Sequence, residues 1–115
     1  MDKHHKDMIA ALKLASGDEV LVPDYLFEAL SNDLANARIV PYSAVTQLKS
    51  PIPDYAIVHK GLMPRLPRQV LQALVIHGDV LHANEVFVVF ARHAAGAARS
   101  ALDVTRRRHT QPVLD

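Results

Sequence analysis

The sequence predicts an α/β fold: an open, mostly parallel sheet of four to five strands, three layers deep, with helices on both faces and an antiparallel strand, if any, at an edge. Three observations carry this reading. Apolar runs alternate with segments of helical periodicity in the order α-β-α-β-α-β-α-β-β-α, and strands separated by helix-length segments imply parallel crossovers. The runs are apolar at successive positions, as in strands covered on both faces. At 115 residues the chain makes one domain, burying roughly 65% of its unfolded surface, which is enough for a core without staples.

Residues 2–16 read as a helix, with Met8, Ile9 and Leu12 at helical spacing and Gly17 as its stop. Glu19-Val20-Leu21-Val22-Pro23 is the first strand. Pro23 or Asp24 opens the next helix, with Leu26, Phe27, Leu30 and Leu34 on one face and Asn36 closing it. Residues 37–42 form the second strand, and Ser43 caps a short helix over 44–49. Ser50-Pro51-Ile52-Pro53 is a rigid turn, because neither proline continues a helix.

Residues 54–59 form the third strand, and Gly61 breaks the chain after it. Pro64 and Pro67 suit a helix start; Val70, Leu71, Leu74 and Val75 supply the apolar face, and Gly78 ends the helix. Residues 86–91 carry the strongest strand signal, apolar on both faces. Val80-Leu81-His82 reads as a separate strand joined through 83–85; one long strand with a bulge near Asn84 is the alternative. The alanine-rich run from Arg92 to Arg108 favours a helix despite Gly96. A single domain thus spans residues 1–110, and 111–115 form a frayed tail.

Composition removes whole classes of function. With no cysteine there is no disulfide scaffold, thiolate zinc site, iron–sulfur cluster or cysteine nucleophile. No segment reaches the ~18 consecutive apolar residues of a membrane span. The charged start, Met1 to Asp7, lacks an apolar stretch typical of a secretory leader. Together these predict a cytoplasmic domain that does not engage membranes. The net charge of +1 supplies no global field for nucleic acid. Arg99 and Arg106–Arg108 concentrate positive charge near the end, where cations complement a helix dipole. The four glycines, at 17, 61, 78 and 96, build neither a dinucleotide loop nor a phosphate loop, and no hydrolase elbow is present. No cofactor is identified. The seven histidines include no pair at chelating helical spacing, so no metal site is expected.

Ligands of open α/β sheets bind beyond the carboxyl ends of the strands. That rule selects Pro23, Asp24 and Tyr25 at the end of the first strand, Tyr42 and Ser43 at the end of the second, His59, Lys60 and Gly61 at the end of the third, and His82, Asn84 and Glu85 before the last. His59-Lys60-Gly61 suits an anion: lysine brings a point charge and glycine lets the backbone approach. The competing reading has His59 continue the strand, Lys60 face water and Gly61 turn the chain. Asp24 is also a natural helix cap, and Glu85 an ordinary turn carboxylate.

From Asp54 to Ala94 the chain resembles the second half of a Rossmann-like methyltransferase. The carriers are the strand Asp54-Tyr55-Ala56-Ile57-Val58, the proline-started helix from Leu66-Pro67 to Leu74, the Gly78-Asp79 turn and the strand Glu85–Phe90. The glycine-rich loop that would hold S-adenosylmethionine is absent, so the resemblance implies architecture and carries over no catalytic residue.

The function expected is a small non-catalytic module that binds a protein partner or a small anionic ligand. If the last strand lies at an edge, it would also pair with a second copy to give a homodimer. The alternative is a transferase-like, methyltransferase-like enzyme or fragment acting on a nucleotide- or sugar-type substrate. That reading requires His59 and Lys60 to line the main pocket with Asp24 or Glu85 in reach.

Overall fold

A computed structural model describes residues 3–92. The expected terminal helix, its arginines and the tail lie outside the described residues. Among the described residues eight regular elements are present: α1 (Lys3–Ala10), β1 (Glu19–Val22), α2 (Phe27–Asp33), β2 (Arg38–Pro41), β3 (Tyr55–His59), α3 (Arg68–His77), β4 (Gly78–Ala83) and β5 (Phe87–Arg92). Three 3-10 turns supplement them, at Asp24–Leu26, Tyr42–Gln47 and Lys60–Arg65. No helix among the described residues is long and apolar enough to cross a membrane.

The five strands form one sheet in the order β2-β1-β3-β5-β4. β1 pairs parallel with β2 and β3, whereas β5 is antiparallel to both β3 and β4. The expectation of a mostly parallel, three-layer sheet is therefore corrected to a mixed sheet. Four strands share one direction, and the reversed strand, β5, sits inside the sheet rather than at its edge. The physical cause is the connection between β4 and β5. Residues 84–86 are too few for a crossover, which takes a dozen or more, so the pair closes as a hairpin. The same hairpin slots β5 between β3 and β4, where a strand apolar on both faces belongs. With both edges of β5 engaged, the expected dimer through the last strand has no free ladder to use. The edges of the sheet are β2 and β4. β2 ends on Pro41, which donates no hydrogen bond. β4 carries a register shift between Val80 and His82 that breaks its regular edge.

Side-chain alternation along the strands builds two apolar clusters. Val20, Val22, Tyr55, Ile57, Phe87, Val89 and Ala91 face one side, where Met8 of α1 and Leu30 of α2 cover them. Leu21, Val40, Ala56 and Val58 face the other, where Leu66, Tyr42 and Leu74 of α3 cover them. On this second side α3 is the one α-helix among the described residues, and 3-10 turns and the proline segment take the place of a helical layer.

Helix α1 is shorter than its periodicity predicts. Other partners, one tertiary and one local, take the groups that would continue it: the Lys13 carbonyl accepts from the Tyr55 hydroxyl at 2.6 Å, and the Ala15 N–H donates to the Asp18 carboxylate three residues on at 2.7 Å. Gly17, at φ +84°, turns the chain into β1 instead of capping the helix. Gly78 has a different reason to be glycine. A Cβ there would lie 2.6 Å from the Leu74 carbonyl oxygen, so only glycine lets α3 pass directly into β4.

Candidate functional site

The carboxyl ends of β1, β2 and β3 meet on one rim, and the sheet order branches there: β1 leads to β2 on one side and β3 lies on the other. The β1–β3 ladder pairs Val20 with Tyr55 and Leu21 with Ala56, and stops. Beyond it the Ile57 C=O and His59 N–H point away from β5, because the even-numbered positions 54 and 60 bond across to β5 and its approach. The Tyr42 hydroxyl satisfies both groups, donating to the Ile57 carbonyl at 2.7 Å and accepting from the His59 N–H at 3.2 Å. Burial, foremost, pushes the Tyr42 phenol up to about 12, so it stays neutral. Tyr42 is thus a strut that holds the splayed strand ends at fixed separation.

Above this strut lies a cleft of ≈ 640 Å³ lined by Asp24, Tyr25, Tyr42, Ser43, Leu62 and Arg65. An Asp24 carboxylate oxygen accepts from the Ser43 N–H at 3.0 Å, tying the β1 loop to the β2 loop. Asp24 makes this tie rather than a helix cap; Pro23 holds the cap position of its turn. The Ser43 side chain makes no cap bond either, since Pro41 precedes that turn. Tyr25 is 53% exposed and forms an aromatic wall. Arg65 is exposed and has no ion-pair partner among the described residues.

The His59-Lys60-Gly61 cluster sits beside this cleft without lining it. His59 Nδ1 accepts from the Gly61 N–H at 3.0 Å and caps the 3-10 turn that follows. The amide an anion would need is therefore engaged. A Cβ at residue 61 would come within 3.1 Å of the His59 ring, which accounts for the glycine. The His59 ring packs edge-on against Tyr25 (5.9 Å) and Phe87 (5.4 Å), and His5 of α1 makes matching contacts with the same two rings (6.2 and 4.9 Å). This ring quartet fastens α1 to the rim. Lys60 is exposed, and its N–H bonds the Val86 carbonyl.

Asn84 and Glu85 lie in the β4–β5 hairpin at the same end of the sheet, outside the cleft. The Asn84 side-chain oxygen accepts from the N–H groups of Val86 and Phe87, both at 2.8 Å. Glu85 is exposed, 4.0 Å from His4. Among the described residues no group of three or more ligating side chains is placed to hold a metal ion.

The strand-end rule places Tyr42 on the rim but gives no sign of its bonding role, and it passes over Arg65 and a polar clasp at the opposite end of the sheet. There Glu19, 3% exposed, pairs with Arg38 and accepts from the Lys49 N–H. Asp54 accepts from the Glu19 N–H at 2.8 Å and pairs with Arg92 at 2.5 Å. The one sequence signal for the clasp was a carboxylate, Glu19, heading the short apolar run Val20-Leu21-Val22. No family model, curated protein or solved structure matches this chain.

Proposed function

We propose that this chain is a small, non-catalytic α/β module that binds a small anionic ligand, a carboxylate or a phosphate ester, in the cleft at the carboxyl ends of β1 and β2. The observation that carries the reading is Arg65: an exposed guanidinium with no ion-pair partner among the described residues, on the wall of a ≈ 640 Å³ cleft. Its planar fork suits a carboxylate or phosphate. Tyr25 and Leu62 provide apolar walls, and Ser43 offers a hydroxyl. Such a cleft, concave and largely apolar with a few polar groups, is the usual form of a small-ligand site.

The groups around the cleft favour binding over catalysis. Tyr42 is neutral and committed to the backbone, and Asp24 is tied to Ser43. A transferase-like reading, methyltransferase-like or otherwise, drew on His59 and Lys60 facing the substrate, and neither lines this cleft.

The test is thermal denaturation with inorganic phosphate, a sugar phosphate and a dicarboxylate, each titrated to millimolar concentration. A ligand at a hundred times its Kd adds about 2.7 kcal/mol, a rise of several degrees in a domain of this size. At least one probe should raise Tm in the intact chain; Arg65→Ala should abolish the rise and Arg65→Lys should keep part of it. Absence of any rise, or an undiminished rise in Arg65→Ala, removes the proposal.

A further inference from the structure

The cleft at the carboxyl ends of β1 and β2 carries two charges of opposite sign. Among its lining residues Tyr25, Tyr42, Ser43 and Leu62 are uncharged, while Asp24 supplies a carboxylate and Arg65 a guanidinium. These two do not pair with each other, and neither forms an ion pair with any other described residue. Asp24 is nevertheless held in place. Its Oδ1 accepts from the Ser43 N–H at 3.0 Å, and its Oδ2 takes no donor among the described residues. One carboxylate oxygen is thus fixed and the other is left over, next to the Ser43 hydroxyl.

We propose that the ligand of this cleft is a zwitterion: a free α-amino acid with an apolar or aromatic side chain. The inference rests on the anion-site reading above and names its ligand. The ligand carboxylate meets the planar fork of Arg65. Its ammonium group donates to the spare Asp24 oxygen and to the Ser43 hydroxyl. Its side chain lies against Tyr25 and Leu62. Each charge-assisted bond spans ~2.8 Å, so an amine and a carboxylate borne on one carbon bridge two side chains that do not touch.

Charge balance decides between ligand classes. A phosphate ester brings about two negative charges. Arg65 answers one of them, and Asp24 in the same cleft repels the rest. A dicarboxylate carries the same surplus. A simple monocarboxylate satisfies Arg65 but covers Asp24 without a counter-charge, and the lost hydration of that carboxylate weakens binding. A zwitterion answers both groups and adds no net charge to the cleft.

The test is isothermal titration calorimetry of the full chain with L-phenylalanine, with 3-phenylpropanoate, which lacks the amine, and with phenethylamine, which lacks the carboxylate. Phenylalanine should bind about tenfold or more tighter than either, the factor expected for one hydrogen bond between charged groups. In Asp24→Asn, whose amide oxygen can still accept from the Ser43 N–H, phenylalanine and 3-phenylpropanoate should bind alike. Equal affinity for these two in the unmodified chain overturns the inference, and that comparison needs no variant to fold. An advantage of phenylalanine that survives Asp24→Asn overturns it too. If 3-phenylpropanoate binds as tightly as phenylalanine and Arg65→Ala abolishes both, the anion site stands and the zwitterion alone falls. If neither carboxylate binds, or Arg65→Ala leaves binding intact, both readings fall together.

Discussion

Where the β1–β3 ladder stops at Leu21 and Ala56, one hydroxyl takes over from a strand. Tyr42 donates to Ile57 and accepts from His59, so Tyr42→Phe should leave the buried Ile57 carbonyl and the half-buried His59 N–H unpaired and cost about 2 kcal/mol in urea denaturation. The same residue sets a pH dependence. Its pKa is raised in the folded state, to about 12 from 10.0, so the folded form holds its proton more tightly. The stability this contributes is complete below pH 10 and is lost as pH rises from 10 through 12. Alkaline titration of the intact chain should show this loss, and Tyr42→Phe should lack that component. An identical alkaline profile in the two proteins would contradict the assignment. Asp24, Tyr25, Tyr42 and Ser43 were legible as rim residues because each stands at a strand end. The bridging role of Tyr42 and the place of Arg65 were not. Tyr42 bonds Ile57 fifteen residues away, and Arg65 reaches the cleft only because the Lys60–Arg65 turn folds back over it. Sequence spacing carries no trace of either.

Strand positions were readable for a physical reason, and the interior place of the reversed strand was not. Residues 19–22 and 55–59 are buried on both faces or nearly so, residues 87–91 are buried on one face and half-buried on the other, and that burial writes itself as an apolar run. Direction depends on the connection, and Asn84 decides it: its side-chain oxygen gathers two N–H groups, and its own N–H donates to the Phe87 carbonyl at 2.9 Å. The double-sided apolarity of residues 86–91 was already an argument for an interior strand. The likeness to a parallel α/β pattern pulled the reading toward an edge. Two substitutions test this element. Asn84→Ala should loosen the hairpin and lower stability by about 1–2 kcal/mol, since two backbone donors lose their acceptor. Gly78→Ala should be more damaging than an ordinary glycine replacement. The obstacle is the backbone oxygen of Leu74 at 2.6 Å, which no side-chain rotation relieves. Chemical denaturation of both variants gives the order. Gly78→Ala at wild-type stability would show that the α3–β4 junction yields.

At the scale of the whole molecule, the sheet is what joins two cores. Leu30 and Tyr55 belong to one apolar cluster and Leu74 and Tyr42 to the other, yet β1, β3 and β5 contribute alternate side chains to both. Losing packing on one side loosens strands that the other side depends on. The polar clasp strengthens this coupling: Glu19, Arg38, Asp54 and Arg92 bind together the ends of β1, β2, β3 and β5. A chain of this size with a shared sheet should therefore unfold in one step. Leu30→Ala and Leu74→Ala, on opposite faces, should each cost about 2–5 kcal/mol. In both variants the ring resonances of Tyr55 and Tyr42 should disappear at the same urea concentration, together with the far-ultraviolet circular dichroism. If Leu74→Ala releases Tyr42 at a lower concentration than Tyr55, the faces are separate cooperative units. The strut over the cleft could then loosen while the α1–α2 side stays folded. Coincident transitions would mean instead that a ligand held by Arg65 stabilises the entire domain, so its binding would register in every probe of unfolding rather than at the rim alone.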